Sequence, residues 1–314
     1  LALYATIYFY LFFGVFGAIS FDYHSNVVAT CLVPWFFYYF KKRKLWLSSL
    51  MLLFIIISKE NVSLFAAFIC LGLLIENRKD VSIRNYLIFS SISCVIYFFT
   101  ITSFVMPALS NERSYYFLYS YLGNTPIDAI LHLVQHPIES LKGLFINHIN
   151  NPLGDYVKAE LHILLLISGL PILILKPQYI LMLIPIYFQK LFHDNISMWG
   201  IGYHYNIEFA PIFAIGIFMV ISEFNNKQLI KPISIFVLLL TFASTVRTMD
   251  NTIFYTNKAK IRFYQIPHYI RDYSVSEVHK QLRKIPKNAI VSVQSPFLPH
   301  LSLRDYIYEF PIIK

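Results

Sequence analysis

Long apolar stretches separated by short basic or polar gaps fill residues 1 to about 247. Met51–Ser58, Leu161–Leu175 and Ile233–Ala243 are almost free of charge and show no polar face at helical or strand period. A soluble core of this length would show such faces. In lipid every backbone group must be satisfied within its own segment, so the predicted element is the transmembrane helix. Spans are predicted at Leu1–Ser20, Val27–Phe40, Leu45–Ser58, Val62–Ile75, Tyr86–Val105, Leu161–Leu175, Tyr179–Phe192, Ile207–Ile221 and Pro232–Val246. Several hold only 14 or 15 residues, against the roughly 20 of a full span. These predict either helices longer than their apolar run or broken and re-entrant helices, so the count is seven to nine, with nine preferred.

The short gaps set the orientation. Lys41 to Lys44, then Arg78, Lys79 and Arg84, then Lys176, then Lys227 and Lys231 all fall on one side of a nine-span chain. Basic short loops mark the cytoplasmic face. The other loops then lie outside: Phe21–Asn26, Lys59–Asn61, Pro107–Glu160, His193–Asn206 and everything after Arg247. Composition agrees, with 57% hydrophobic residues, 14% charged and mean hydropathy +0.56. The formal charge of +9 follows from this topology and a basic tail, and nucleic acid is not an expected partner. Cys31, Cys70 and Cys94 fall within predicted spans and read as small buried apolar residues, with no disulfide or metal framework. The chain starts at Leu1 in mid-helix without a signal-peptide pattern, so it is expected to be part of a longer protein.

Two outside segments have their own character. Residues 107–160 carry aromatic and amide residues, a turn at Gly123-Asn124-Thr125-Pro126 and two helical patterns broken at His136-Pro137. They predict amphipathic helices on the outer membrane surface, serving as a lid or as a substrate-contacting loop. Residues 248–314 read as a small α/β unit cut short at Lys314. Ser274 and Glu277 make an S-x-x-E cap, Pro286 ends that helix, and Ala289–Val293 and Tyr306–Phe310 are strand candidates. The expected architecture is an all-α polytopic membrane bundle over 1–247 with this extracytoplasmic segment over 248–314.

Ionisable residues at the ends of apolar helices are costly to place and mark candidate sites. Asp22 and His24 flank Tyr23 after the first span; they suit proton transfer, a metal or a counter-ion, or equally a hydrated loop whose Asp caps the next helix. Lys59 and Glu60 form a tight turn that suits either a phosphate with a base beside it, or a snorkelling interfacial pair. His193 and Asp194, with Tyr203, His204 and Glu208 around the next outer loop, suit a metal or phosphate site or an aromatic belt. Pro299-His300-Leu301-Ser302 with Arg304 reads first as a turn between strands.

At these residues the chain resembles a known family. Phe21-Asp22-Tyr23-His24 resembles a Phe-Asp-Phe-His motif, and Lys59-Glu60-Asn61 a Lys-Glu-Asp motif. Met106-Pro107, Tyr121-Leu122-Gly123 with Pro126, His136-Pro137, Tyr203-His204-Tyr205 with Pro211, Pro299-His300-Leu301-Ser302 with Arg304, and Phe310-Pro311 follow in matching order. Together they resemble the bacterial predicted membrane proteins called domain of unknown function 2079, over nearly the whole chain. That family is similar to the GT-C glycosyltransferases, enzymes that use polyprenyl-phosphate sugars on the outer membrane face. The resemblance implies a GT-C-like bundle in the bacterial inner membrane, with lipid and a polyprenyl-phosphate-linked sugar as partners. Asp22 and Glu60 would be the catalytic carboxylates, His24, Lys59, Tyr203 and His204 would bind substrate, and Asp194 would hold a divalent metal. A multi-span transporter or lipid flippase, and a catalytically silent envelope assembly factor, are the alternative readings; no convincing inverted repeat supports the transporter.

Overall fold

The structure is a computed structural model, described for residues 1–20, 23–109, 117–254, 262 and 264–311. Its first helices are α1 (Ala2–Leu11), α2 (Phe13–Ile19), α3 (Ser25–Lys41), α4 (Leu45–Ser58), α5 (Glu60–Asn77) and α6 (Val81–Thr100). The last continues through a π-turn at Ile101–Val105 into α7 (Met106–Leu109). Then come α8 (Pro126–Gln135), α9 (Pro137–Gly143), α10 (Val157–Ile167), α11 (Leu170–Ile174), α12 (Pro177–Leu191), α13 (Ala210–Ser222) and α14 (Ile230–Asp250). A 3₁₀ segment, His204–Phe209, leads into α13.

Every apolar stretch of the sequence is helical, but not every one reaches span length. Among the described residues, Glu60–Asn77, Val81–Leu109, His204–Ser222 and Lys227–Asp250 are long and apolar enough to cross a membrane, making four, or five if the bent pair Ala2–Leu11 and Phe13–Ile19 counts as one span. That pair bends by 53°. The other stretches are shorter for local reasons. Gly169, at φ +111°, separates α10 from α11, a conformation suited to glycine. An Arg43 at φ 57° turns α3 into α4, and Lys59 at φ −161° is the single extended residue between α4 and α5.

The core is apolar and aromatic, with Tyr8, Phe12, Phe13, Phe36, Phe209 and Phe213 fully buried. Cys70 and Cys94 are buried as expected, whereas Cys31 lies on the outward face of α3 and is exposed. Polar residues mark one end of the bundle. Lys41 pairs with Glu76 at 2.6 Å, Arg43 with Asp80 at 2.7 Å and Lys176 with Glu223 at 2.5 Å. Tyr179 lies within electrostatic reach of both Glu76 and Glu223, so these pairs share that end. The end of α3, the end of α5, the start of α12 and the end of α13 are therefore together. Their opposite termini must meet at the other end, and there the candidate site lies.

The chain divides into two compact units, Leu1–Arg262 and Phe263–Lys314. The residues after α14 stay with the first unit because Glu160 accepts from Ile253 N–H at 3.0 Å and Arg262 Nε donates to Met249 O at 3.2 Å. The second unit holds α15 (Val275–Leu282), β1 (Val291–Val293), α16 (Leu298–Leu301) and β2 (Ile307–Glu309). Ser274 caps α15 by accepting from Glu277 N–H at 3.3 Å. The strands pair in parallel, Val291 opposite Ile307, so the chain between them must cross over rather than turn back. The helical bundle with a small α/β segment is thus the architecture expected from the sequence.

Candidate functional site

Four helix termini bring a buried polar cluster together. Asn26 comes from the first turn of α3, Lys59 precedes α5, Lys190 lies in the last turn of α12, and His204 and Glu208 come from the 3₁₀ segment before α13. Lys190 is 0% exposed and Glu208 4%. Asn26 Nδ2 donates to Glu208 Oε1 at 3.2 Å. Lys59 and Lys190 both act electrostatically on Glu208 and on His204. The ring of His24 stacks on that of His204, centroids 3.7 Å apart.

The 3₁₀ segment is held in place by close backbone packing. A Cβ on Gly14 would stand 2.3 Å from Asn206 C, and one on Gly17 2.8 Å from Tyr203 O. Only hydrogen at these two positions lets α2 lie against the segment. Asn206 braces it from within, its Nδ2 donating to Gly200 O at 2.8 Å.

The cluster is under-satisfied. Among the described residues Lys190 Nζ and Glu208 Oε2 have no hydrogen-bond partner, nor do the side-chain oxygens of Asn26, Asn61, Gln189 and Asn206. Lys190 Nζ instead lies over the rings of Tyr205 and Phe209, at 5.5 and 5.8 Å. A buried ammonium or carboxylate without partners costs several kcal/mol by order of magnitude. Glu208 also borders a cavity of about 10 Å³ between Thr30, Val33, Ile55, Phe65 and Pro211, about the least that holds one water.

The residues expected from the sequence divide between this cluster and other places. His24, Lys59 and His204 are brought together. Glu60, the first residue of α5, adjoins Lys59 in the chain, and among the described residues no hydrogen bond or ion pair ties its carboxylate to the cluster. Tyr203 is half-buried, its ring 6.2 Å from that of Phe254. Asp194 lies elsewhere: its carboxylate accepts from Ser120 N–H at 3.0 Å and Ser120 Oγ at 2.8 Å, fastening the segment before α8. Asp22 falls outside the described residues. Among the described residues no group of three His, Cys, Asp or Glu side chains is placed to hold a metal.

Glu208 was named by sequence reasoning only as one of the polar groups around its loop, and Lys190, Asn26 and Asn206 were not singled out at all. A lysine in a last helical turn reads as a favourable C-terminal cation, and an Asn at a helix start reads as a cap. The signal available was Gln189-Lys190 closing an apolar run, with the one acidic residue at helical spacing, Asp194, falling beyond the end of the helix.

A second buried polar group ties the end of α9 and the turn after it to α10. Lys158 Nζ donates to Gly143 O at 2.6 Å, meets His148 Nδ1 at 2.8 Å and lies 4.4 Å from the centre of the Trp199 ring. Burial, with the Lys158 ammonium beside it, pushes His148 down to about 4. Burial likewise lowers His193.

Apolar helices of span length, with charges gathered at their ends, define a polytopic helical membrane protein. The chain belongs to the family described as Predicted membrane protein (DUF2079), which matches residues 1–313. No curated protein and no solved structure matches it.

Proposed function

We propose that this protein is a GT-C-like glycosyltransferase of the bacterial inner membrane, transferring a sugar from a polyprenyl-phosphate donor on the extracytoplasmic face. The observation that carries the reading is the convergence of Lys59, Lys190, His24, His204 and Glu208 at the bundle end opposite the ion-paired basic loops. Basic short loops favour the cytoplasm, which puts the cluster on the outer side. Lys59 and Lys190 are two cations suited to an anionic phosphate. The unpartnered amide oxygens of Asn26, Asn61 and Asn206 suit sugar hydroxyls.

In the proposed step a carboxylate accepts the proton of an acceptor hydroxyl, whose oxygen bonds to the anomeric carbon from the face opposite the leaving group. The bond from that carbon to the phosphate oxygen breaks, and its electron pair leaves with the polyprenyl phosphate, held by Lys59 and Lys190. Glu208 is the carboxylate best placed by geometry. Asp22 and Glu60 are the further candidates from the sequence, with Tyr203 as a sugar-stacking ring and Asp194 as a metal ligand. No step here passes through a metal.

The test is transfer in proteoliposomes holding a panel of polyprenyl-phosphate sugars with the full chain. Glu208→Gln and Lys190→Gln should each lower turnover about 100-fold or more, the scale expected for an acid–base or charge-stabilising group. Movement of the donor across the bilayer without transfer would support the flippase reading instead. Donor binding without either would support a silent assembly factor.

A further inference from the structure

The short helices α8 and α9 turn their apolar sides away from the bundle. On α8 the stripe Ile127, Ile130, Leu131 and Val134 follows helical spacing, and all four are exposed, Ile127 at 70% and Val134 at 73%. On α9 and the turn after it, Ile138, Leu141 and Phe145 continue the stripe, at 73%, 60% and 58%. The faces turned inward carry Ala129, His132 and Leu133 on α8 and Ser140 and Gly143 on α9, with Leu144 after it, and hold fewer large apolar residues than the outward stripe. A water-soluble loop would have the opposite arrangement, because exposed apolar area is unfavourable by about 25 cal/mol per Å².

The local sequence fixes this orientation. Thr125 and Asp128 form a reciprocal capping box, and Pro126 and Pro137 stand at the first turn of each helix. Gly143 lets α9 approach the rings of Tyr121 and Phe192, where a Cβ would stand 2.5 Å from Tyr121. Tyr121 OH donates to Glu139 O at 3.0 Å. Neither helix can roll without breaking these contacts.

We infer that the outward face of α8–α9 is embedded in the lipid–water interface, with acyl chains as its partner. Three observations select lipid. The face is continuous with exposed apolar positions on α10, Ile163 and Leu166, through the stack of Phe145 on His162 at 4.5 Å. A helix of ten residues is about 15 Å long, too short to cross the hydrocarbon core but suited to lying along it. Polar residues border the stripe at Asp128, His136, Glu139 and Lys142, all exposed, as on helices that float at this depth. This inference goes beyond the proposed activity and holds or fails without it.

The test is spin-label accessibility in phosphatidylethanolamine–phosphatidylglycerol vesicles, on the full chain with Cys31→Ser, Cys70→Ala and Cys94→Ala as background and single labels at Ile130→Cys, Val134→Cys, Ile138→Cys and Leu141→Cys. Asp128→Cys serves as the rim position. The four stripe labels should collide with oxygen severalfold more than with a water-soluble nickel chelate, and the rim label should not. Quenching of Ile138→Trp by lipids brominated on their acyl chains should agree without any label. Stripe labels open to nickel would overturn the inference. Labels shielded from both reagents would also overturn it, because a second copy or another protein surface would then cover the face.

Discussion

Asn26 Nδ2 donates to Glu208 Oε1 at 3.2 Å, joining the start of α3 to the start of α13 across 182 residues of sequence. No other hydrogen bond to the Glu208 side chain is found among the described residues. Asn26→Leu should therefore cost about 1–3 kcal/mol, the penalty for stripping a partner from a buried group. Asn26→Asp should cost more, since a second carboxylate would face the first. Thermal unfolding in detergent measures both, and an unchanged Asn26→Leu midpoint would remove the bond from the account.

Lys190 is buried where apolar packing would be more stable. Lys190→Met or Glu208→Gln alone leaves one charge without its electrostatic partner, and each should lower the unfolding midpoint. The double variant removes both charges. It should be as stable as the parent or more so, by up to about 4 kcal/mol as for other buried pairs replaced by apolar groups, while losing transfer. A double variant less stable than either single one would show that the charges hold the fold together.

Gly14 sets the distance between α2 and the segment carrying His204 and Glu208. Gly14→Val places carbon atoms where Asn206 already stands, 2.3 Å from its Cβ position. Overpacking of this kind costs about 1–3 kcal/mol, and here it moves the segment that bears the site. Transfer should fall more steeply than the unfolding midpoint, and Gly169→Ala, in a turn remote from the cluster, should lower the midpoint while sparing turnover per folded molecule.

His148 gives the segment between α9 and α10 a pH dependence. Unfolded, its imidazole takes up a proton near pH 6.5; folded, burial and Lys158 hold it neutral down to about 4. The unfolded state thus binds the extra proton between these values, so stability falls as pH drops from about 6.5 toward 4 and is flat above. His193 shifts in the same direction. The loss from His148 should be roughly 1–2 kcal/mol after solvent screening at a half-buried site. His148→Gln should flatten the acid limb in a pH series of unfolding midpoints; an unchanged limb would assign the effect to other groups.

The pattern of apolar runs and basic gaps by itself determined that this is a helical membrane protein and that each apolar run is helical, and it led to the expectation of an α/β segment over 248–314; the division at Phe263 is a property of the structure. Those features are local. They follow from segment hydropathy, from caps such as Thr125 and Ser274, and from turn residues such as Gly169, each readable within a few positions. Even the outward stripe on α8 follows helical spacing, yet only packing shows which side faces away. The site was legible only in part. His24, Lys59 and His204 stood out because charge at the edge of an apolar run is costly wherever the chain goes. Lys190 did not, because a last-turn lysine is locally unremarkable and becomes costly only once α12 is surrounded by other helices. Asn26 and Glu208, 182 residues apart, are partners solely because α3 and α13 run in the same direction and bring their starts together at one end of the bundle. Burial and pairing belong to the assembled bundle, and no local pattern encodes them.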